Sequence, residues 1–514
     1  MRLNRVAPAL GAISLLVTAT AFAQEQAQPL SAIDWLSDIV AAPKIAPDDS
    51  GTDYIARSAT AATVTTTPLG QTRLDAVGIL PRSVTGFPAD FWSRSSARDL
   101  AEDIRDLRTD LPPPLSQFLT RLLLAELPAP ADSSDGAELF IARVDKFLEL
   151  GALDQADALL SRAGPATPAI FARWFDVSLL TGQEDRACTA LRETPDIDAT
   201  YAAKVFCQAR DGAWEDAAKT LETALEKGAI SSKEGDLLAR FLDPELFEGA
   251  PRLPVPDRIT PLNFRMHEAI GEALNPAGLP NAFSYAELSE RSGWKARIAA
   301  AERLARSGAI SHQQLFALYS ERQPAASGGV WDRVRAIQDF EAALAAQDLK
   351  ALSFALPVAM RAMRRAGLEY AFAQSFGPSL AGLALTDDAK RDGLRLGLMS
   401  KDYEAVAISG RADLGPKIWK AVAKGVPTEK NSDDALEAAI LSGFTANTTP
   451  AQFEQLLSQR RLGEATLKAM NMMADGARTD PVDVERGIAV MVQLGLEDLA
   501  RQTALYMLLT RPRS

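Results

Sequence analysis

A pattern that recurs about every 30 residues restricts the fold of this chain more than any other sequence feature. Three segments align on Gly151, Gly182 and Gly212, which are 31 and 30 residues apart. An apolar stripe precedes each glycine, and an alanine and then a leucine follow it. The stripe residues are Phe140, Val144, Leu148, Phe171, Phe175, Leu179, Tyr201, Val205 and Ala209, and the later residues are Ala156, Leu160, Ala187, Leu191, Ala217 and Leu221. These offsets predict one helix that ends at the glycine and a second helix that packs against it.

With these residues, segment 138–228 resembles the tetratricopeptide family, in which an aromatic residue lies early in the first helix, a glycine lies at the turn and an alanine lies on the second helix. The resemblance implies stacked helical hairpins. The segment departs from the family at Val144, Phe175 and Val205, where a small residue is usual, and its period is shorter than the usual length of about 34 residues. A fainter copy near the C-terminus consists of Val484, Ile488, Gly495, Ala500 and Ala504.

Signals for helix starts are dense after Ser96, whereas clear strand alternation is absent after residue 90. A proline follows a capping residue at Thr167-Pro168, Thr260-Pro261, Thr449-Pro450 and Asp480-Pro481. Capping-box spacing occurs at Ser231 with Glu234, Ser284 with Glu287, Ser311 with Gln314 and Thr449 with Gln452. We therefore predict an all-α fold of stacked helical hairpins that form a curved solenoid or superhelix, with an irregular N-terminal arm. An irregular helical bundle is the alternative.

The first 23 residues have the features of a cleavable signal peptide. Arg2 and Arg5 precede an apolar stretch, and Ala21-Phe22-Ala23 matches the small-x-small pattern of a cleavage site. We predict cleavage between Ala23 and Gln24, and a periplasmic location. The alternative, a short membrane anchor, needs about 20 apolar residues, and this stretch is shorter.

Composition predicts further divisions of the chain. Residues 24–90 lack helical periodicity and indicate an irregular arm or linker, and residues 91–242 form an N-terminal helical-repeat domain. Five prolines interrupt residues 243–261 and indicate a Pro-rich linker: Pro244, Pro251, Pro254, Pro256 and Pro261. Residues 262–514 then form a C-terminal helical domain.

Cys188 and Cys207 are the only cysteines of the chain. Cys188 is predicted on the second helix of one repeat and Cys207 on the first helix of the next, at equal distances from the intervening turn. An even number of cysteines in an exported protein favours a disulfide between them. A redox pair and two free buried thiols are the alternatives, and the Cys-x-x-Cys spacing typical of redox pairs is absent.

The composition argues against most catalytic chemistry. His267 and His312 are the only histidines and have no cysteine near them, which leaves little material for a zinc site or a Ser-His-Asp triad. The formal net charge of −12 disfavours nucleic acid, and no glycine-rich phosphate loop or calcium-binding ladder occurs. We predict no catalytic residue, no cofactor, no metal, no nucleic-acid partner and no membrane span.

The remaining enzymatic alternative comes from the soluble lytic transglycosylases, which combine a periplasmic location with a superhelix of α-hairpins. Their catalytic glutamate is followed by serine and later by Gly-Leu-Met-Gln. The most similar string here, Glu290-Arg291-Ser292-Gly293-Trp294, lacks both features. We predict an exported, soluble, non-enzymatic protein that binds an envelope protein or peptide as an interaction scaffold or adaptor. A peptidoglycan-active enzyme, or an activator of one, is the alternative.

Overall fold

The computed structural model describes residues 73–511 except residues 166, 195, 381, 410–413, 426–431 and 447 and the side chain of residue 387. These residues form 25 α-helices and two 3₁₀ helices; they contain no β-strand, only a bridge between Leu80 and Ala125. The all-α prediction is confirmed. The signal peptide, its cleavage site and residues 24–72 of the arm lie outside the described residues.

Ten α-helices precede the Pro-rich segment: α1 Arg82–Thr85, α2 Ala97–Asp106, α3 Pro113–Leu124, α4 Glu138–Leu150, α5 Leu153–Ala163, α6 Pro168–Thr181, α7 Glu184–Glu193, α8 Tyr201–Arg210, α9 Trp214–Glu226 and α10 Ser232–Leu242. Fifteen follow it: α11 Pro261–Ala269, α12 Asn281–Ala286, α13 Trp294–Arg306, α14 His312–Ser320, α15 Val330–Ala345, α16 Leu349–Ala366, α17 Glu369–Leu380, α18 Asp387–Met399, α19 Tyr403–Ile408, α20 Lys417–Ala423, α21 Ala435–Thr445, α22 Ala451–Ser458, α23 Leu462–Gly476, α24 Pro481–Gln493 and α25 Glu497–Thr510. The 3₁₀ helices are Leu74–Ala76 and Glu245–Phe247.

Side-chain caps begin many of these helices, because the first N–H groups of a helix have no backbone partner. Thr260 and Ser311 form complete capping boxes with Asn263 and Gln314. Single side-chain caps begin α6, α10 and α24 at Thr167, Ser231 and Asp480. The local sequence therefore determines these five helix starts as predicted.

Two of the predicted side-chain caps do not form, and at the second the helix begins one residue later than predicted. Ser284 lies inside α12, where its buried hydroxyl accepts a hydrogen bond from Arg303 Nη1 at 2.7 Å. Thr449 precedes Pro450, which is the N-cap residue of α22, and its hydroxyl donates to Gln493 Oε1 at 2.9 Å. In both cases a tertiary partner takes the hydroxyl that the spacing had assigned to a helix N-terminus.

The glycines that align the repeat lie between contacting helices. Gly151, Gly182 and Gly212 have φ angles of 83°, 73° and 79°, in the left-handed region that favours glycine. They separate α4 from α5, α6 from α7 and α8 from α9, and the helices of each pair pack together. The alanines five positions later are all buried: Ala156, Ala187 and Ala217. The arrangement of the pairs as a curved solenoid or superhelix stays a prediction.

Buried apolar side chains form two clusters. The smaller cluster takes its members from α6 to α11, between Phe171 and Met266, and the larger one extends from Leu80 to Leu509. Leu238 and Leu262 lie on opposite sides of the Pro-rich segment and belong to the same smaller cluster. The segment therefore joins two helices that share a core. The division into domains at residues 243–261 stays a prediction.

A disulfide joins Cys188 of α7 to Cys207 of α8, and their Cα atoms are 5.1 Å apart. Both cysteines are buried in the smaller cluster. Because α7 belongs to the second helix pair of the repeat and α8 to the third, the bond ties two pairs together.

The part of the predicted irregular arm that the structure describes packs against the first helices. Leu80 and Phe87 are buried in the larger cluster. The buried guanidinium of Arg143, on α4, donates hydrogen bonds to the carbonyl oxygens of Leu123 and Val77, both at 2.7 Å. One arginine therefore holds the residues around Val77 against the C-terminal end of α3, whose last carbonyl groups need donors.

Helices near the two ends of the described chain pack together in what we call the closure contact, between residues 90–124 and 460–511. In it, α2 contacts α23 and α3 contacts α25. The backbone N–H of Gly463 donates to the carbonyl of Phe91 at 3.0 Å. A Cβ atom on Gly463 would lie 2.6 Å from the buried ring of Trp92, so glycine permits this close approach.

Candidate functional site

The residues that the sequence singled out for possible chemistry lie on different elements. Glu290 is exposed in the turn between α12 and α13. His267 is buried in α11, where burial lowers the pKa of its imidazole, whereas His312 begins α14 with Nδ1 at 2.6 Å from Ser375 Oγ. Within the described part of the chain, no three histidine, cysteine, aspartate or glutamate side chains form a group that could hold a metal ion.

The tryptophans are distributed between core and surface. Trp92 and Trp419 are buried, Trp174, Trp294 and Trp331 are half-buried, and Trp214 is exposed. Trp35 lies outside the described residues. The positions of the six described tryptophans therefore do not indicate a binding groove for a peptide or glycan.

The most distinctive surface of the described chain lies on α16. This helix contains four basic residues and no acidic residue in a protein with a net charge of −12. Five of its seven exposed side chains follow one line along the helix, which we call the α16 stripe, and Leu349 and Arg364 lie beside that line. The stripe consists of Lys350, Phe354, Val358, Arg361 and Arg365. Spacings of four, four, three and four residues keep all five side chains on one face, over a length of about 22 Å.

The apolar centre of the stripe is open to solvent. Phe354 is 71% exposed and Val358 is 46% exposed, although the opposite face of the helix is well packed. That opposite face consists of Leu352, Leu356, Ala359, Met360 and Met363, all buried. The helix thus has one apolar face in the core and a second, smaller apolar surface that faces outward. Single exposed apolar residues are ordinary, but two that are four residues apart form a continuous surface.

The cations of the stripe form no ion pair in the described structure, although Arg361 is near enough to Asp392 to oppose the rise in the pKa of that carboxyl. Among the residues that it covers, none forms an ion pair with Lys350, Arg361 or Arg365, whereas the neighbouring Arg364 is paired with Glu369 at 3.1 Å. The side chain of Glu369 is buried, and burial raises its pKa although Arg364 opposes that shift. The structure thus distinguishes Arg364, which is exposed but pairs with the buried carboxylate of Glu369, from the three stripe cations, which form no ion pair with described residues.

A cleft of about 270 Å³ adjoins the stripe at Arg361. It is lined by α16, α18, α20 and the residues before α20: Pro357, Arg361, Asp388, Arg391, Asp392, Leu394, Arg395, Leu414, Gly415 and Trp419. This volume is below the range of about 300–1,000 Å³ that is typical of small-molecule sites. It is sufficient for one large side chain of a binding partner.

Charges of both signs line the cleft. Arg391 pairs with Asp388, and Arg395 donates to the carbonyl of Leu509. Burial raises the pKa of Asp392, and nearby arginines oppose that shift. The cleft is therefore not a simple anion site, and its charges are largely balanced before any ligand enters.

The apolar wall of the cleft depends on Gly415. A Cβ atom at this position would lie 2.5 Å from Cε3 of Trp419, so the indole packs directly on the backbone. Trp419 is buried by this contact, and Leu414 is partly exposed at the entrance. The wall is thus preformed, which limits the conformational entropy that binding would cost.

The net charge of residues 349–424, which include the stripe and most of the cleft, is opposite in sign to that of the whole chain. Residues 349–424 contain 12 lysines and arginines against seven aspartates and glutamates, a net charge of +5. An acidic partner is therefore attracted to this region and repelled by most of the remaining surface.

This surface is not among the sequence-based predictions, although the sequence contains two signals for it. Residues 349–366 lack acidic residues, and their apolar residues occupy more of the helical circumference than one core-facing stripe needs. What the sequence could not show is which of the two apolar faces is buried.

No helix among the described residues is both long and apolar enough to span a membrane.

Because comparisons with other proteins give no match, a proposal about function has to rest on the local geometry of this chain. The chain matches no protein-family model, no curated protein and no solved structure. The resemblance of residues 138–228 to tetratricopeptide repeats stays a prediction, and a shared fold would not by itself specify a ligand.

Proposed function

We propose that this protein is an exported, non-enzymatic helical-repeat protein that acts as a protein–protein interaction scaffold in the cell envelope. The α16 stripe and the adjoining cleft are its docking surface. The observation that carries this proposal is the exposure of Phe354 and Val358 between cations that have no ion-pair partner among the described residues. Protein interfaces commonly combine an apolar centre with a polar rim, and the stripe has that arrangement.

Two further features support the proposed setting. The disulfide between Cys188 and Cys207 favours an oxidising compartment, as expected for a periplasmic protein. The helix pairs of residues 138–228 support the tetratricopeptide resemblance, and stacked repeats generally serve as binding platforms. In this proposal the repeats build a rigid body, and α16 presents the surface to an envelope protein or peptide.

The proposal is tested by site-specific photo-crosslinking in intact cells. A photoreactive amino acid replaces Phe354 in one strain and Leu246 in another, because Leu246 is equally exposed, at 73%, but lies far along the chain in a 3₁₀ helix. We expect a discrete crosslinked protein from position 354, absent from position 246. Val358→Asp in the same strain should remove it. The same products from both positions, or none from position 354, would contradict a docking role for α16.

A second measurement addresses the enzymatic alternative. The purified mature protein is incubated with murein sacculi, and we expect no release of soluble muropeptides. Release that Glu290→Gln abolishes would replace the scaffold proposal with a peptidoglycan-active enzyme.

A further inference from the structure

We infer that the segment bound by the α16 stripe is an acidic amphipathic helix of a partner protein. Its carboxylates lie against Lys350, Arg361 and Arg365, and its apolar side chains cover Phe354 and Val358. This inference rests on the proposed docking function and names the chemistry of the partner.

The distribution of charge along α16 defines what a complementary helix must carry. Lys350 lies at one end of the stripe and Arg361 and Arg365 lie near the other, with Phe354 and Val358 between them. A partner helix of about four turns spans this length. It needs carboxylates near both ends and apolar residues three or four positions apart at its centre.

The closure contact shows the same chemistry already complemented within this protein. There α2 is an acidic amphipathic helix, with Asp99 and Asp103 four residues apart and Leu100 beside them. Asp99 accepts a hydrogen bond from Arg461 at 2.8 Å, and Asp103 pairs with Lys468 of α23. Leu100 is fully buried in the same contact. A helix of this type therefore forms a close-packed contact with a surface that offers cations and apolar groups.

The cleft favours a protein helix over an anionic lipid surface. It is a concave site beside Arg361, walled by Pro357 and Trp419, and one side chain that projects from a partner can enter it. A flat bilayer would leave this cleft unused.

The experiment compares two synthetic helical peptides of about 18 residues, long enough for partial helicity in water. Both carry leucines at the same positions, and the flanking residues are glutamate in one and lysine in the other. Binding of each labelled peptide to the full mature protein is measured by fluorescence anisotropy. We expect the glutamate peptide to bind and the lysine peptide to bind at least about tenfold more weakly.

Charge reversal locates the interaction. Arg361→Glu with Arg365→Glu should weaken the glutamate peptide about tenfold and strengthen the lysine peptide, because exposed pairs become repulsive for one and attractive for the other. The matched control is Arg162→Glu with Lys219→Glu, two exposed cations on α5 and α9 with the same total charge change. This control should leave the glutamate peptide within about twofold of the unmodified protein.

Other outcomes overturn the inference. Equal binding of both peptides, no binding of the glutamate peptide, or equal effects of the two double variants would each contradict an acidic helix. Stronger binding to vesicles of phosphatidylglycerol and phosphatidylcholine, lost with Arg361→Glu and Arg365→Glu, would assign the stripe to a membrane instead. A crosslink from position 354 that persists when the glutamate peptide fails would leave the docking function intact and reject only the partner chemistry. Loss of that crosslink would reject the docking function itself.

Discussion

The closure contact and the α16 stripe combine the same kinds of residue, but only the closure contact is complete within the described chain. In the closure contact, cations of residues 460–478 meet aspartates of residues 90–110. The pairs are Arg460 with Asp90, Arg461 with Asp99, Lys468 with Asp103 and Arg478 with Asp110. On the α16 stripe, Lys350, Arg361 and Arg365 have no such partners among the residues described, and the aromatic ring between them is exposed.

The difference indicates how a surface of this chemistry is used. Ion pairs at a protein surface contribute little by themselves, so the stability of the closure contact comes mainly from Trp92 and the apolar residues around it. The ion pairs surround that apolar centre and determine the alignment of α2 with α23. If the stripe is an interface of the same type, changes to it should alter binding without altering stability, and the same changes in the closure contact should do the reverse.

The largest expected difference concerns the two aromatic side chains. Trp92→Ala should lower the free energy of unfolding by about 3–5 kcal/mol, because it removes a fully buried ring and leaves a cavity. Phe354→Ala should change it by less than about 0.5 kcal/mol, because the ring is already exposed. Denaturant unfolding of both variants, followed by far-UV circular dichroism, measures the two values. Similar losses would mean that Phe354 has a structural role and that the comparison is invalid.

The next largest difference in the free energy of unfolding should come from reversing one cation in the closure contact, Arg461, and one on the α16 stripe, Arg365. Arg461 donates to Asp99 and also to the buried carboxylate of Glu464. Arg461→Glu should therefore cost about 2–3 kcal/mol, since it leaves a buried carboxylate without its cation. Arg365→Glu should cost less than about 0.5 kcal/mol, because Arg365 is exposed and makes no ion pair with described residues. The same unfolding assay tests both, and a stable Arg461→Glu protein would show that the closure contact does not need the ion pairs of Arg461.

An added methyl group at Gly463 tests its close approach to the ring of Trp92 in the closure contact. Gly463→Ala should lower the free energy of unfolding by about 1–3 kcal/mol, because its Cβ would overlap the ring of Trp92. Gly393→Ala, in α18 beside the cleft, is the matched control. Its Cβ would meet Leu385 at an ordinary 3.4 Å, so helix propensity should make this variant as stable as the parent or more stable by up to about 1 kcal/mol. Thermal unfolding that ranks the two variants in the opposite order would contradict the packing at Gly463.

The smallest expected effects concern pH, and they have opposite signs in the two regions. A hydrogen bond from Arg108 lowers the pKa of Asp110 in the closure contact, so its ionised form stabilises the fold above its ordinary pKa of 3.8, and this contribution disappears as pH falls through the lowered value. Burial raises the pKa of Asp392 in the cleft, so its ionisation destabilises the fold at neutral pH, and this penalty is absent below about 3.8.

Melting temperatures between about pH 3 and pH 7 measure both contributions. Asp110→Asn should destabilise the protein by a few tenths of a kcal/mol at pH 7, because the pair is largely exposed, and this effect should shrink as pH falls toward 3. Asp392→Asn should raise the melting temperature at pH 7 and leave it unchanged at pH 3. Effects of the same sign for both variants would show that the two carboxylates do not differ as described.

Local interactions made much of the fold predictable from sequence. The helix starts at Thr167, Thr260 and Ser311 depend on residues within one turn, and the turns at the repeat glycines require only a left-handed φ angle. The pairing of Cys188 with Cys207 followed from the same local frame, because one turn connects their two helices. The predictions failed at Ser284 and Thr449, where residues distant in sequence take the hydroxyl.

The sequence by itself thus determined the all-α class, five of the 25 described helix starts, the turns at the three repeat glycines and the disulfide, because these depend on interactions between residues close along the chain. Only the tertiary structure decided that Trp92 lies against Gly463, and that Phe354 remains exposed while Met360 is buried. Helical periodicity shows that α16 has two apolar faces, but the choice between them depends on whether α15, α17 and α18 pack against one or the other. Contacts between residues several hundred positions apart leave no spacing in the sequence, so the closure contact and the exposed stripe emerge only when the helices are assembled.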